Sequence, residues 1–173
     1  VDIVFDEIEP NNQNILNQFT LGNTVGIFQF NGYGITALCK DVKIDSFDTL
    51  VAVNALYRPG TLRSGLTDVY KNRKSNKEKV VYLNKQIEQI TKDTYGIILY
   101  QEQLIRLLVD VSGFSPSEAD KVRKIVGKSK GVEEFEKFRN KFVDGCFNKR
   151  TLTKQQANEL FDDLKHTSEY SFN

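Results

Sequence analysis

The stretch Thr94-Tyr-Gly-Ile-Ile-Leu-Tyr-Gln-Glu-Gln103 decides how this chain is read. A Tyr95-Gly96 turn leads straight into residues 99–111, which have helical spacing and a nearly unbroken apolar body from 104 onward. The first turn of that helix carries Gln101, Glu102 and Gln103. Polar side chains at the mouth of a core helix suit an edge that faces a ligand, and they suit a buried brace between helices equally well. Tyr100, Gln101 and Gln103 are therefore candidate contact residues. Glu102 has no acidic neighbour in sequence, and no Asp-x-Asp occurs anywhere in the chain. Both facts argue against acid–base or two-metal work at this place.

Downstream, Ser115-Pro-Ser-Glu118 has Ser at the cap, Pro at the first helical position and Glu three residues after the cap, a strong helix start. On a wheel of roughly 100° per residue over 116–128, Ala119, Val122, Ile125 and Val126 share one arc of ~120°. Lys121, Arg123, Lys124 and Lys128 occupy the remainder, with Asp120 among them. Five basic residues and no acid lie between Lys121 and Lys130. Upstream, Arg58 follows an apolar helix and precedes Pro59-Gly60. A guanidinium beside a rigid turn can grip phosphate oxygens, or it can cap the preceding helix.

The other segments are mostly helical in period: 11–21 up to Gly22, 33–42, a helix capped by Ser46 that ends at Pro59-Gly60, 62–73, 85–91, 132–147 and 154–165. Residues 25–30 and 80–82 are short apolar runs with strand character. The expected class is thus mainly α, with one or two short β segments. Lys71-Asn-Arg-Lys-Ser-Asn-Lys-Glu-Lys79 is too polar to bury, so Lys71, Arg73 and Lys74 either loop into solvent or meet an anion.

With 173 residues, 39% of them hydrophobic, the chain can form one globular domain or two small lobes. It has no apolar run near eighteen residues and no signal or lipidation pattern, which implies a soluble cytoplasmic protein. Cys39 and Cys146 read as two reduced thiols, and the lone His166 as a surface side chain on a polar helix. The net charge of +1 hides an asymmetry. Residues 1–50 hold two basic and seven acidic groups, whereas 51–92 hold nine basic and three acidic. A basic middle on a neutral chain points to a polyanion met by one surface, or to a solvated charged face.

These blocks, in this order, carry a resemblance. Gly26-Ile-Phe-Gln-Phe30, Ala55-Leu-Tyr-Arg-Pro-Gly60, Thr94 to Gln103, Ser112-Gly-Phe114, Ala119-Asp120 with Arg123, Gly127-Lys128 and Tyr170-Ser-Phe-Asn173 resemble the fingers domain of the α subunit of bacterial DNA polymerase III, the C-family replicative polymerases. The resemblance implies one multi-helix fingers module over 1–173, with sub-lobes 1–93 and 94–173 as an alternative division. In such enzymes a palm that precedes the fingers carries three aspartates and two magnesium ions. Palm and downstream domains are expected outside this chain, no cofactor is expected on it, and it is expected to be inactive alone. Its implied partners are template-primer DNA, deoxynucleoside triphosphates, the palm and replisome subunits, with no membrane.

The fingers of such enzymes close over the incoming nucleotide, and their cations face its triphosphate. By position that role falls to Arg123 and Lys124, then to Lys128 and Arg58, while Tyr100, Gln101, Gln103, Lys71, Arg73 and Lys74 are implied pocket or DNA contacts. Two residues depart from the family pattern: Lys124 stands where a second Arg is common, and Thr61 where a second Pro usually follows. The competing expectation is a stand-alone helical module for single-stranded DNA or a replisome partner. It would use the 71–79 cations, with Tyr70 and Tyr82 as stacking platforms.

Overall fold

Apolar residues at helical spacing build almost everything that the computed structural model describes, namely residues 8–126 and 131–170, without the side chains of 131, 132, 169 and 170. Eleven α-helices and no strand occur among the described residues. The chain divides into two compact units, Val1–Tyr57 and Arg58–Asn173.

In the first unit, α1 (Gln13–Leu21), α2 (Tyr33–Val42) and α3 (Phe47–Leu56) pack in sequence. Asn12 caps α1 by accepting from the Asn14 and Ile15 amides, and Ser46 caps α3 by accepting from Thr49 at 3.1 Å. Each side chain satisfies an amide that the helix leaves orphaned. Leu16, Phe19, Phe30, Ile35, Leu38 and Val53 fill the core, with Phe19 edge-on to Phe30 at 5.3 Å. The 25–30 run is not a strand. Ile27 donates to the Thr24 carbonyl and Phe30 to that of Ile27, so two tight turns take up its amides.

The second unit holds α4 (Pro59–Arg63), α5 (Leu66–Lys74), α6 (Lys85–Thr91), α7 (Gln101–Arg106), α8 (Pro116–Val126), α9 (Gly131–Glu136), α10 (Arg139–Asn148) and α11 (Lys154–Tyr170). Pro59 starts a helix here rather than only ending one: it sits at the first helical positions of α4, where its missing N–H costs nothing. After Arg106 the helix widens to a π turn over Leu107–Val111. The 80–82 run is also irregular; among the described residues it has no strand to pair with, and Val81 is exposed.

A single core explains why the division falls at 57/58 and not at 93/94. Ile87 and Ile90 of α6 pack in the same cluster as Leu104, Leu108, Phe114, Val122, Phe142 and Leu164. The predicted 132–147 helix is broken between α9 and α10, and Phe135 and Phe142 from the two pieces both lie on Phe161, at 4.5 and 5.5 Å. Beside them Glu136, Arg139, Asp162 and Lys165 tie α9, α10 and α11 together by charge. The close bond from Arg139, then that from Lys165, draws the Glu136 carboxyl down to about 2. Among the described residues no helix is long and apolar enough to cross a membrane.

Candidate nucleotide interface

The wheel predicted for α8 is the one that forms. Ala119, Val122 and Val126 are buried in the core and Ile125 is half-buried, which turns Lys121 and Lys124 to solvent. The predicted capping box fixes the start of the helix. Ser115 accepts from the Glu118 amide at 3.3 Å, while Glu118 accepts from the Ser115 amide at 3.0 Å and its hydroxyl at 2.9 Å. Lys141 of α10 closes on Glu118 as well, and with Ser115 it draws that carboxyl down to about 2.

Facing α8 is the mouth of α7, and here the glutamines separate. Gln103 turns inward and is buried. Its Oε1 accepts from the Leu99 amide at 2.7 Å and the Tyr100 amide at 2.9 Å. Its Nε2 donates to the Ile90 carbonyl at 3.2 Å and to Thr94 Oγ1 at 2.7 Å. Both donors and both acceptor sites of the amide are used, so Gln103 is a brace between α6, the turn and α7, and not a ligand contact.

The turn it braces is held from the other side too. Tyr95 and Gly96 both have left-handed backbones, with φ of 53° and 78°. Arg73 reaches back from α5 to donate to the Tyr95 carbonyl at 3.1 Å, and its Nε is paired with Glu78 at 2.8 Å. Tyr70, 1% exposed, packs edge-on against Tyr95 at 5.2 Å. Any Cβ at Gly96 would stand 2.9 Å from Val80 Cγ1. Arg73, expected as a DNA contact, is therefore a structural clasp, and Tyr70 is no stacking platform.

Gln101 turns outward. Its Oε1 accepts from Arg123 Nη1 at 3.1 Å, which joins α7 to α8. The rest of the Arg123 contact goes to Asp120, whose Oδ1 accepts from Nε at 3.0 Å and Nη2 at 2.9 Å. Lys124 Nζ lies 2.7 Å from the other oxygen, Asp120 Oδ2. The bonds from Lys124 and then Arg123 lower the Asp120 pKa from its ordinary value. The side chains of Arg123 and Lys124 are 30% and 63% exposed, so this corner is wet and cationic.

The other candidates stand elsewhere. Tyr100 is the half-buried residue that precedes α7. Lys71, 3.6 Å from Asp68, and Lys74 lie in the last turn of α5, where cations favour the helix dipole. Arg58 is exposed at the N-cap of α4, and α4 packs on α11. Lys128 lies outside the described residues, as does Gly127.

Residues 1–150 match the bacterial DNA polymerase III alpha subunit finger domain. The chain belongs to this finger-domain family. It is 41% identical over 173 residues to the DNA polymerase III subunit alpha of Aquifex aeolicus, which covers all of this chain and 15% of that protein. Identity is 34% to the subunit of the same name from Bacillus subtilis, over all of the chain and 15% of that protein. The Thermus aquaticus subunit is 34% identical over all of the chain and 14% of its own length. The finger domain here thus spans about one-seventh of these relatives.

Of the two departures from the family pattern, Thr61 is buried within α4 and Lys124 is in the open corner. Among the described residues of this finger domain, no three His, Cys, Asp or Glu side chains stand together to hold a metal ion. Cys39 and Cys146 are free and buried, and burial pushes both thiols up to about 11. His166 lies on α11, exposed as expected. Asp120 is the acid that unites this corner, and its spacing of three and four residues from Arg123 and Lys124 is the signal in the sequence that it pairs with both.

Proposed function

We propose that this chain is the nucleotide-gripping part of a replicative DNA polymerase, and that it cannot polymerise by itself. The observation that carries the reading is the Gln101–Asp120–Arg123–Lys124 corner, on a chain of the finger-domain family. Arg123 and Lys124 donate to the triphosphate oxygens of an incoming deoxynucleotide. Phosphoryl transfer spreads charge over those oxygens, and fixed cationic donors stabilise it with little reorganisation. The 3′-hydroxyl attack and the magnesium chemistry belong to residues elsewhere in the complete polymerase. Template-primer DNA meets the same enzyme, in the cytoplasm, with replisome subunits as further partners.

A stand-alone module that stacks bases has less support, because one of its two aromatic platforms is Tyr70, which is 1% exposed. Primer extension separates the readings. The purified chain, given magnesium, deoxynucleotides and primed template, should incorporate no more than a mock preparation. The polymerase that contains it should incorporate, and should lose nucleotide use when Arg123 and Lys124 are both replaced by Ala. Incorporation by the isolated chain, or an unaffected double variant, overturns the proposal.

A further inference from the structure

The contacts of both cations converge on one acid. Asp120 divides its oxygens: Oδ1 takes Nε and Nη2 of Arg123, and Oδ2 takes Nζ of Lys124. Gln101 takes Nη1 of Arg123. A guanidinium has five N–H groups, and these bonds place three; an ammonium has three, and this pair places one. Among the described residues each cation therefore keeps two N–H groups for a ligand while its head is tied to Asp120. Left unheld, such long side chains would each surrender rotamer entropy on binding. The acid also screens the guanidinium from the ammonium one residue away, so both can stay close together in an exposed site.

We infer that Asp120, helped by Gln101, is a positioning residue that orients Arg123 and Lys124 toward a nucleoside triphosphate without touching it. This rests on the proposed grip of the triphosphate by those two cations. It makes a prediction of unusual sign. A carboxylate near a polyphosphate repels it, so charge alone says that removing Asp120 should tighten nucleotide binding. Positioning says the opposite, because the donors that the acid aligns would have to be ordered at the moment of binding.

The experiment is steady-state incorporation by the polymerase that carries this chain, with KM for the deoxynucleotide and kcat measured separately. Asp120→Asn keeps the shape and loses the charge. It should raise KM by about tenfold, the size of one charge-assisted hydrogen bond, and change kcat much less. Asp120→Glu, which can still reach both cations, should recover most of that loss. Added to an Arg123→Ala/Lys124→Ala background, Asp120→Asn should change KM less than about twofold, since a residue acting through its partners has nothing left to act on. A KM that falls or stays constant with Asp120→Asn overturns the inference. So does a full tenfold penalty in the double-variant background, or a loss of folded protein in thermal unfolding of Asp120→Asn. If Arg123→Ala itself leaves KM and kcat unchanged, the grip of the triphosphate fails and the inference fails with it. If Arg123→Ala impairs nucleotide use and Asp120→Asn does not, the positioning role alone is refuted.

Discussion

Two polar clusters lie at the two ends of the same short stretch, and they are built to opposite ends. Around Gln103 every donor and acceptor of the amide is spent on backbone or on Thr94, and of these partners only Tyr100 is less than fully buried. Around Gln101, two residues earlier, the bonds are equally good but incomplete, and the cations stay in water. A saturated polar group in a dry place has nothing to offer a ligand; it fixes backbone. An unsaturated one in a wet place costs little while it waits, because water takes the spare donors until something better arrives. The same residue type thus serves architecture or recognition according to how much of its bonding capacity the fold consumes.

The comparison is broken most easily at the closed cluster. Gln103→Leu keeps the bulk but leaves the buried Leu99 amide and the half-buried Tyr100 amide without their acceptor, and should destabilise the chain by about 3–4 kcal/mol in urea unfolding. A loss under 1 kcal/mol would mean that water or a shifted backbone replaces the brace. The open cluster should respond in the other currency. Arg123→Ala should cost nucleotide incorporation ~2–4 kcal/mol in kcat/KM, with thermal unfolding almost unmoved because Ala119, Val122 and Val126 still pack. A large fall in melting temperature would make this arginine a brace like Gln103. Gly96→Ala sharpens the closed side further: a left-handed backbone and a Cβ at 2.9 Å from Val80 should cost about 1–2 kcal/mol in unfolding.

A weaker effect should appear in acid. Glu118 anchors the first turn of α8, and its carboxyl lies at about 2 instead of 4.5, drawn down by Lys141 and then by Ser115. A lowered folded-state pKa adds stability above the ordinary value, and that contribution is lost as pH falls from about 4.5 to about 2. Melting temperature should therefore decline across that window, and Glu118→Gln should decline less steeply. Equal slopes would show that the exposed pair contributes nothing measurable. Lys121→Ala, on the solvent side of α8, should alter both incorporation and stability by less than about 0.5 kcal/mol.

Sequence alone determined the helices whose start and stop signals are local. Ser46 caps α3, Ser115-Pro116 with Glu118 opens α8, and Gly22 ends α1, because each signal is a side chain or a φ preference acting on amides a few residues away. The apolar arc of α8 and the family of the chain were legible for the same reason: period and motif are written along the chain. Tertiary structure decided what the local code cannot hold. Residues 25–30 and 80–82 have strand-forming composition but no partner strand among the described residues, so backbone pairing never arises. The division at 57/58 follows from Ile87 and Ile90 joining a core whose other members lie up to Leu164. The fate of Gln101, Gln103 and Arg73 was settled in the same way. Each could bond outward or inward by its chemistry, and only the placement of Thr94, Tyr95 and Arg123, brought near by folding, chose between the two.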